Sequence, residues 1–179
     1  MEEQIRTLKN EIYDEISLFN QWSQALSNLL PVDYRSKFQW FGGIPGAIIE
    51  AREQKRMEKL INTPIVGEHS FWQLTFMILE KIKAIGEKIR ELQGILPDTD
   101  PERIKVGDDF INATFSLIQN WKTYSPAMAT TAFSFGKGRK NNKSLIQYLL
   151  EESTPVFGSV DASPASINKV QTQLPLMLF

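Results

Sequence analysis

The chain of 179 residues contains no cysteine, which excludes disulfides, thiolate metal ligands and cysteine nucleophiles. That absence fits a reducing compartment such as the cytoplasm. Histidine occurs once, at His69, so a Ser-His-Asp triad or a Glu-x-x-His metal bundle would rest on a single imidazole. Its neighbour Glu68 would point about 100° away on a helix, too far round to chelate with it. His69 is expected as a capping or surface residue at the start of a helix. An excess of charge is also missing: 20 Lys and Arg stand against 21 Asp and Glu, a net charge of −1. Surfaces that bind nucleic acid throughout are ordinarily basic, so any such contact here must be local. No apolar run approaches the roughly 20 residues that cross a bilayer. Met1-Glu2-Glu3 lacks the basic start of a signal peptide. The expectation is a cytoplasmic protein with no membrane partner.

What is present is helical periodicity. Hydrophobic residues make up 42% of the chain, enough for one core without staples. From residue 4 to 30, Ile5, Leu8, Ile12, Phe19, Trp22, Leu26 and Leu29 recur at spacings of three and four, with Ile16 displacing the stripe. Pro31 stops that helix. An aromatic connector, 32–46, contains Phe38-Gln39-Trp40-Phe41 and ends in the glycine-rich turn Gly42-Gly43-Ile44-Pro45-Gly46. A second helix is expected over about 46–61 and a third over about 68–93, the latter carried by Phe71, Leu74, Ile78, Ile82, Ile85, Ile89 and Leu92. Asp100-Pro101-Glu102 then reads as a cap, a first-turn proline and an acidic first turn, opening a fourth helix that reaches about Lys122. Asp108-Asp109 read as complements to that helix's dipole. Residues 127–135 fit a loop, a strand or a helical turn, and 143–152 a short helix. From Ser153 the composition turns to Ser, Thr, Pro, Ala and Gly, the signature of a linker. These elements predict an all-α, up-down bundle of four to five helices over residues 1–152, followed by a flexible linker and docking peptide over 153–179. The regular first stripe suits a homodimer as well as an internal bundle, so the oligomeric state stays open.

Catalytic signatures are scarce. Ser166 and Lys169 match a Ser-x-x-Lys spacing, but in the presumed tail, where nothing would position them. Gly136-Lys137-Gly138 lacks the frame of a phosphate loop. A carboxylate enzyme using Mg²⁺ is the minority alternative, and no cofactor or metal ligand set is expected. The run Gly136 to Asn142 closes on Lys143 and holds Lys137, Arg139, Lys140 and Lys143, four cations in eight residues. Such a loop can follow a DNA or RNA backbone, and Phe133 and Phe135 before it could stack on bases. A solvated loop beside two core aromatics is the plainer alternative.

The last nine residues are Gln171-Thr172-Gln173-Leu174-Pro175-Leu176-Met177-Leu178-Phe179. Residues 173–178 resemble the peptide by which bacterial replication and repair proteins bind the DNA sliding clamp, Gln-Leu-x-Leu-x-Leu. A second register begins at Gln171. The resemblance implies a non-enzymatic adaptor whose Gln173 meets a groove rim while Leu174, Leu176, Leu178 and Phe179 fill an apolar pocket. Two alternatives stand beside it: a small helical subunit of a larger nucleoprotein complex, and a tail that packs on its own core. If the tail is free, deleting 173–179 leaves thermal stability unchanged.

Overall fold

The first heptad-like stripe forms the longest of the described helices. In the computed structural model, which describes residues 1–28, 64–66, 69–124, 133–134 and 142–178, α1 spans Glu2–Ser27. Leu8, Ile12, Ile16, Phe19, Trp22 and Leu26 are buried along one face, and Ile16 belongs to that face rather than displacing it. Helix α2, Phe71–Ile95, starts at a reciprocal cap. The Ser70 hydroxyl accepts the Gln73 N–H at 3.2 Å, and the Gln73 side chain accepts the Ser70 N–H at 3.1 Å. Helix α3, Pro101–Tyr124, follows after a tight turn in which Asp100 Oδ1 accepts the Glu102 N–H at 3.0 Å. Helix α4 covers Leu145–Gly158 and α5 Pro164–Gln173, capped by Ser144 and Ser163. A single 3-10 turn, Pro175–Leu178, ends the described chain.

Two short antiparallel ribbons accompany the helices. One pairs β1, Pro64–Val66, with β2, His69–Ser70; the other pairs β3, Phe133–Ser134, with β4, Asn142–Lys143. Each second strand runs directly into a helix cap, at Ser70 and at Ser144. His69 lies in β2, and the capping is done by Ser70 after it. The expected connector over 32–46 and helix over 46–61 lie outside the described residues.

Side-chain pairs across the helices set their directions. Glu15 meets Lys81 at 2.8 Å and Glu11 meets Lys88 at 3.4 Å, so α1 and α2 run oppositely. Lys9 with Glu102, Tyr13 with Asp109, and Ser23 with Asn120 rise together, so α1 and α3 are parallel neighbours. The pairs Phe76–Tyr148 and Lys83–Glu152 place α2 beside α4 in the same sense. The described helices therefore alternate up and down in chain order and enclose one apolar core, with Trp121, Phe19, Phe110 and Phe115 among its largest members. This is the all-α bundle that the periodicity predicts.

The stretch from Ser153 differs from the linker expectation. Helix α4 continues through Pro155 to Gly158, and α5 follows after a short turn. Proline supplies no N–H to the helix ladder. Nearby, Ser153 and Thr154 turn their hydroxyls back to the carbonyls of Leu149 and Leu150, at 2.5 and 2.7 Å. Phe157 is the anchor, 3% exposed, with its ring 5.8 Å from Phe110 and 6.3 Å from Phe115. Val160 and Ala162 are buried beyond it. Few large apolar residues occur here, but the ones present reach an existing core.

A polar clasp fixes the turn after α4. The Arg103 guanidinium donates to Asp161 Oδ2 from Nε at 3.0 Å and from Nη2 at 2.6 Å, and to the carbonyls of Leu96 and Gln93. The Gln93 amide donates to the carbonyls of Arg103 and Asp161, both at 2.8 Å, and its oxygen accepts the Asp161 N–H at 2.9 Å. Gly107 of α3 lies under the same turn, where a Cβ would sit 2.0 Å from the Asp161 carbonyl oxygen.

Candidate functional site

Helix α5 carries the C-terminal segment against the bundle. Its cap residue Ser163 donates its N–H to Asp108 Oδ1 at 2.9 Å and accepts the Ser166 N–H at 3.3 Å, while Pro164 fills the first helical position. Asp108 thus holds a neighbouring helix rather than serving the dipole of its own. Lys169 donates to Asn112 Oδ1 at 3.1 Å and lies 5.1 Å from the Phe115 ring centroid. Ser166 and Lys169 sit one turn apart in α5, and the ammonium is given to Asn112.

Beyond Lys169 the residues that resemble the clamp-binding peptide fall into unlike environments. Gln173 closes α5 and is exposed. Leu174, 4% exposed, belongs to the core, whereas Leu176 in the 3-10 turn is 66% exposed. Leu178 ends that turn, and Phe179 lies outside the described residues. Because Leu174 is buried, deleting 173–179 removes a core side chain, and unchanged thermal stability is no longer the expected result. In the basic segment, Lys143 is a β4 residue opposite Phe133. Lys137, Arg139 and Lys140 lie outside the described residues, as does Phe135.

A polar groove between α1 and α3 was not legible in the sequence. It measures about 370 Å³ and is lined by Tyr13, Ile16, Asn20, Asp109, Asn112, Ala113 and Ser116. The Tyr13 hydroxyl donates to Asp109 Oδ2 at 2.7 Å, and Lys105 Nζ donates to the same oxygen at 3.1 Å. The ammonium also lies 5.2 Å from the Tyr13 ring centroid. Only the i, i+4 spacing of Lys105 and Asp109 is local; Tyr13 is brought in from 92 and 96 residues away.

Burial, reinforced by the hydrogen bond to Asp109, raises the Tyr13 phenol above its ordinary value. The hydrogen bond to Asp109 likewise raises Lys105, which is solvent-exposed. Folded values above the unfolded ones mean stability that is complete below pH about 10 and lost as pH rises through the folded pKa. Replacing Tyr13 by phenylalanine is expected to cost about 1 kcal/mol at neutral pH, given the partial exposure of the pair. It is also expected to flatten the fall in stability above pH about 10. Urea melts of both proteins at pH 7 and pH 10.5 check this; identical pH slopes would remove Tyr13 from the account.

Among the described residues there is no group of three His, Asp or Glu placed to hold a metal ion. No helix among them is long and apolar enough to cross a membrane. The described residues thus define an all-α up-down bundle whose last helix ends in a terminal turn, with one motif leucine packed inward and another in solvent. No protein-family model, curated protein or solved structure matches this chain.

Proposed function

We propose that this chain is a cytoplasmic, non-enzymatic interaction module recruited to the bacterial DNA sliding clamp by its C-terminal peptide. Gln173, Leu174, Leu176, Leu178 and Phe179 form the docking segment. Lys137, Arg139, Lys140 and Lys143 supply a local contact to DNA or RNA, an arrangement suited to an accessory factor in DNA metabolism.

The observation that carries this reading is the exposure of Leu176, 66%, beside the exposed Gln173, at the two positions that the resemblance gives to an anchor leucine and the rim glutamine. A lone surface leucine is ordinary. One at an anchor position of a docking sequence has its burial available from a partner groove.

Leu176→Ala separates docking from folding. Its side chain adds little to the core, so the melting temperature is expected to stay within about 2 °C of the parent. Binding of the full chain to the purified clamp, followed by fluorescence polarisation, is expected to weaken about tenfold or more, the value of one buried leucine. Undiminished clamp binding by the variant, or none by the parent, would sink the proposal.

A further inference from the structure

We infer that the C-terminal segment is a two-state latch: its packed form and its docking form are mutually exclusive, and Leu174 is exchanged between the protein's own core and a partner's groove. This rests on the docking reading above.

In an extended peptide, residues two apart lie on one side, so Leu174, Leu176 and Leu178 share a face only when the backbone is extended. Here the backbone is wound: Gln173 ends α5, Leu174 is in the right-handed helical region at φ −56°, ψ −49°, and Pro175–Leu178 form a 3-10 turn. Wound, Leu174 and Leu176 diverge: Leu174 is 4% exposed while Leu176 is 66% exposed. No groove can take both until the segment unwinds.

The attachment of the segment changes character at Lys169. Up to that residue α5 is tied by polar contacts, Ser163 to Asp108 and Lys169 to Asn112. Among the described residues, no hydrogen bond or ion pair joins 170–176 to another element; the Thr172 hydroxyl serves only Asn168 in its own helix. Gln171, Thr172 and Gln173 are exposed, and Val170 and Leu174 are the apolar holds. Proline after Leu174 biases that residue toward extended backbone once it is free. Local preference therefore favours the docking form and burial of one leucine favours the packed form. A bias of roughly ten- to a hundredfold toward the packed form follows from the burial of one leucine, and apparent affinity falls by the same factor.

The test uses the full chain, its Val170→Gly variant and a free peptide of residues 168–179. Val170→Gly weakens the hold and leaves 171–179 unaltered. In the parent, amides of Gln173 to Leu178 are expected to exchange more slowly than in the peptide, and the variant to lose that protection while α1 to α4 keep theirs. The peptide is expected to bind purified clamp roughly ten- to a hundredfold more tightly than the full chain, with the variant shifted toward the peptide. Equal affinities for peptide and full chain, or no protection in the parent, overturn the latch. A peptide that does not bind the clamp overturns the docking reading instead, and the exchange measurement then decides on its own whether the segment opens.

Discussion

Replacing Phe157 by alanine is expected to lower stability by about 3–5 kcal/mol, the cost of emptying a buried aromatic site that cannot fully collapse. For a chain of this size that corresponds to a fall in melting temperature of about 6–20 °C. The physical reason is where the ring sits. Phe157 is 3% exposed and lies between Phe110 and Phe115 of α3, so its removal leaves a void bordered by two aromatics. The same ring joins α4 to α3, and the turn bearing Val160 and Asp161 follows directly from it. Calorimetry of the variant decides the matter. A fall of less than about 2 °C would mean that residues after Ser153 contribute little to the core, as a linker composition implies.

The second large effect is expected at Gly107. An added methyl would lie 2.0 Å from the Asp161 carbonyl oxygen and 3.0 Å from its carbonyl carbon, both backbone atoms that no rotamer change can move aside. Alanine is the better helix former by about 1 kcal/mol, but here the turn must retreat from α3. Retreat strains the clasp, since Asp161 receives Arg103 on its carboxylate and exchanges two backbone hydrogen bonds with Gln93. A net loss of about 3 kcal/mol is expected for Gly107→Ala. Gly94→Ala is the matched control, because nothing lies within 4 Å of a Cβ at that exposed helical position. It is expected to stabilise by about 0.5–1 kcal/mol, reading propensity without collision. Chemical denaturation of the two variants side by side gives both values; similar effects at the two glycines would refute the close approach.

Leu74, Ile78, Ile82, Ile85, Ile89 and Leu92 were legible as one buried stripe because residues three and four apart share a helix face whatever the rest of the chain does. The start of α3 was legible for a similar reason: a cap and a first-turn proline act within four residues. The resemblance of residues 173–178 to a docking peptide was visible as order of side chains alone. Local physics by itself thus determined the long helices, the cap that opens α3 and the all-α class.

Partners distant in sequence decided the rest. Composition marks the stretch after Ser153 as unable to bury enough surface on its own. It does not need to, because Phe157, Val160, Ala162 and Leu174 add to a core already built by α1 to α3. Asp108 and Asp109 look like a dipole complement until α5 and α1 arrive to claim one carboxylate each. Tyr13, Lys105 and Asp109 become a cluster only because α1 and α3 pack in parallel. Whether Leu174 faces outward or inward is likewise settled by packing, since a leucine before proline prefers an extended backbone until a core offers to bury it.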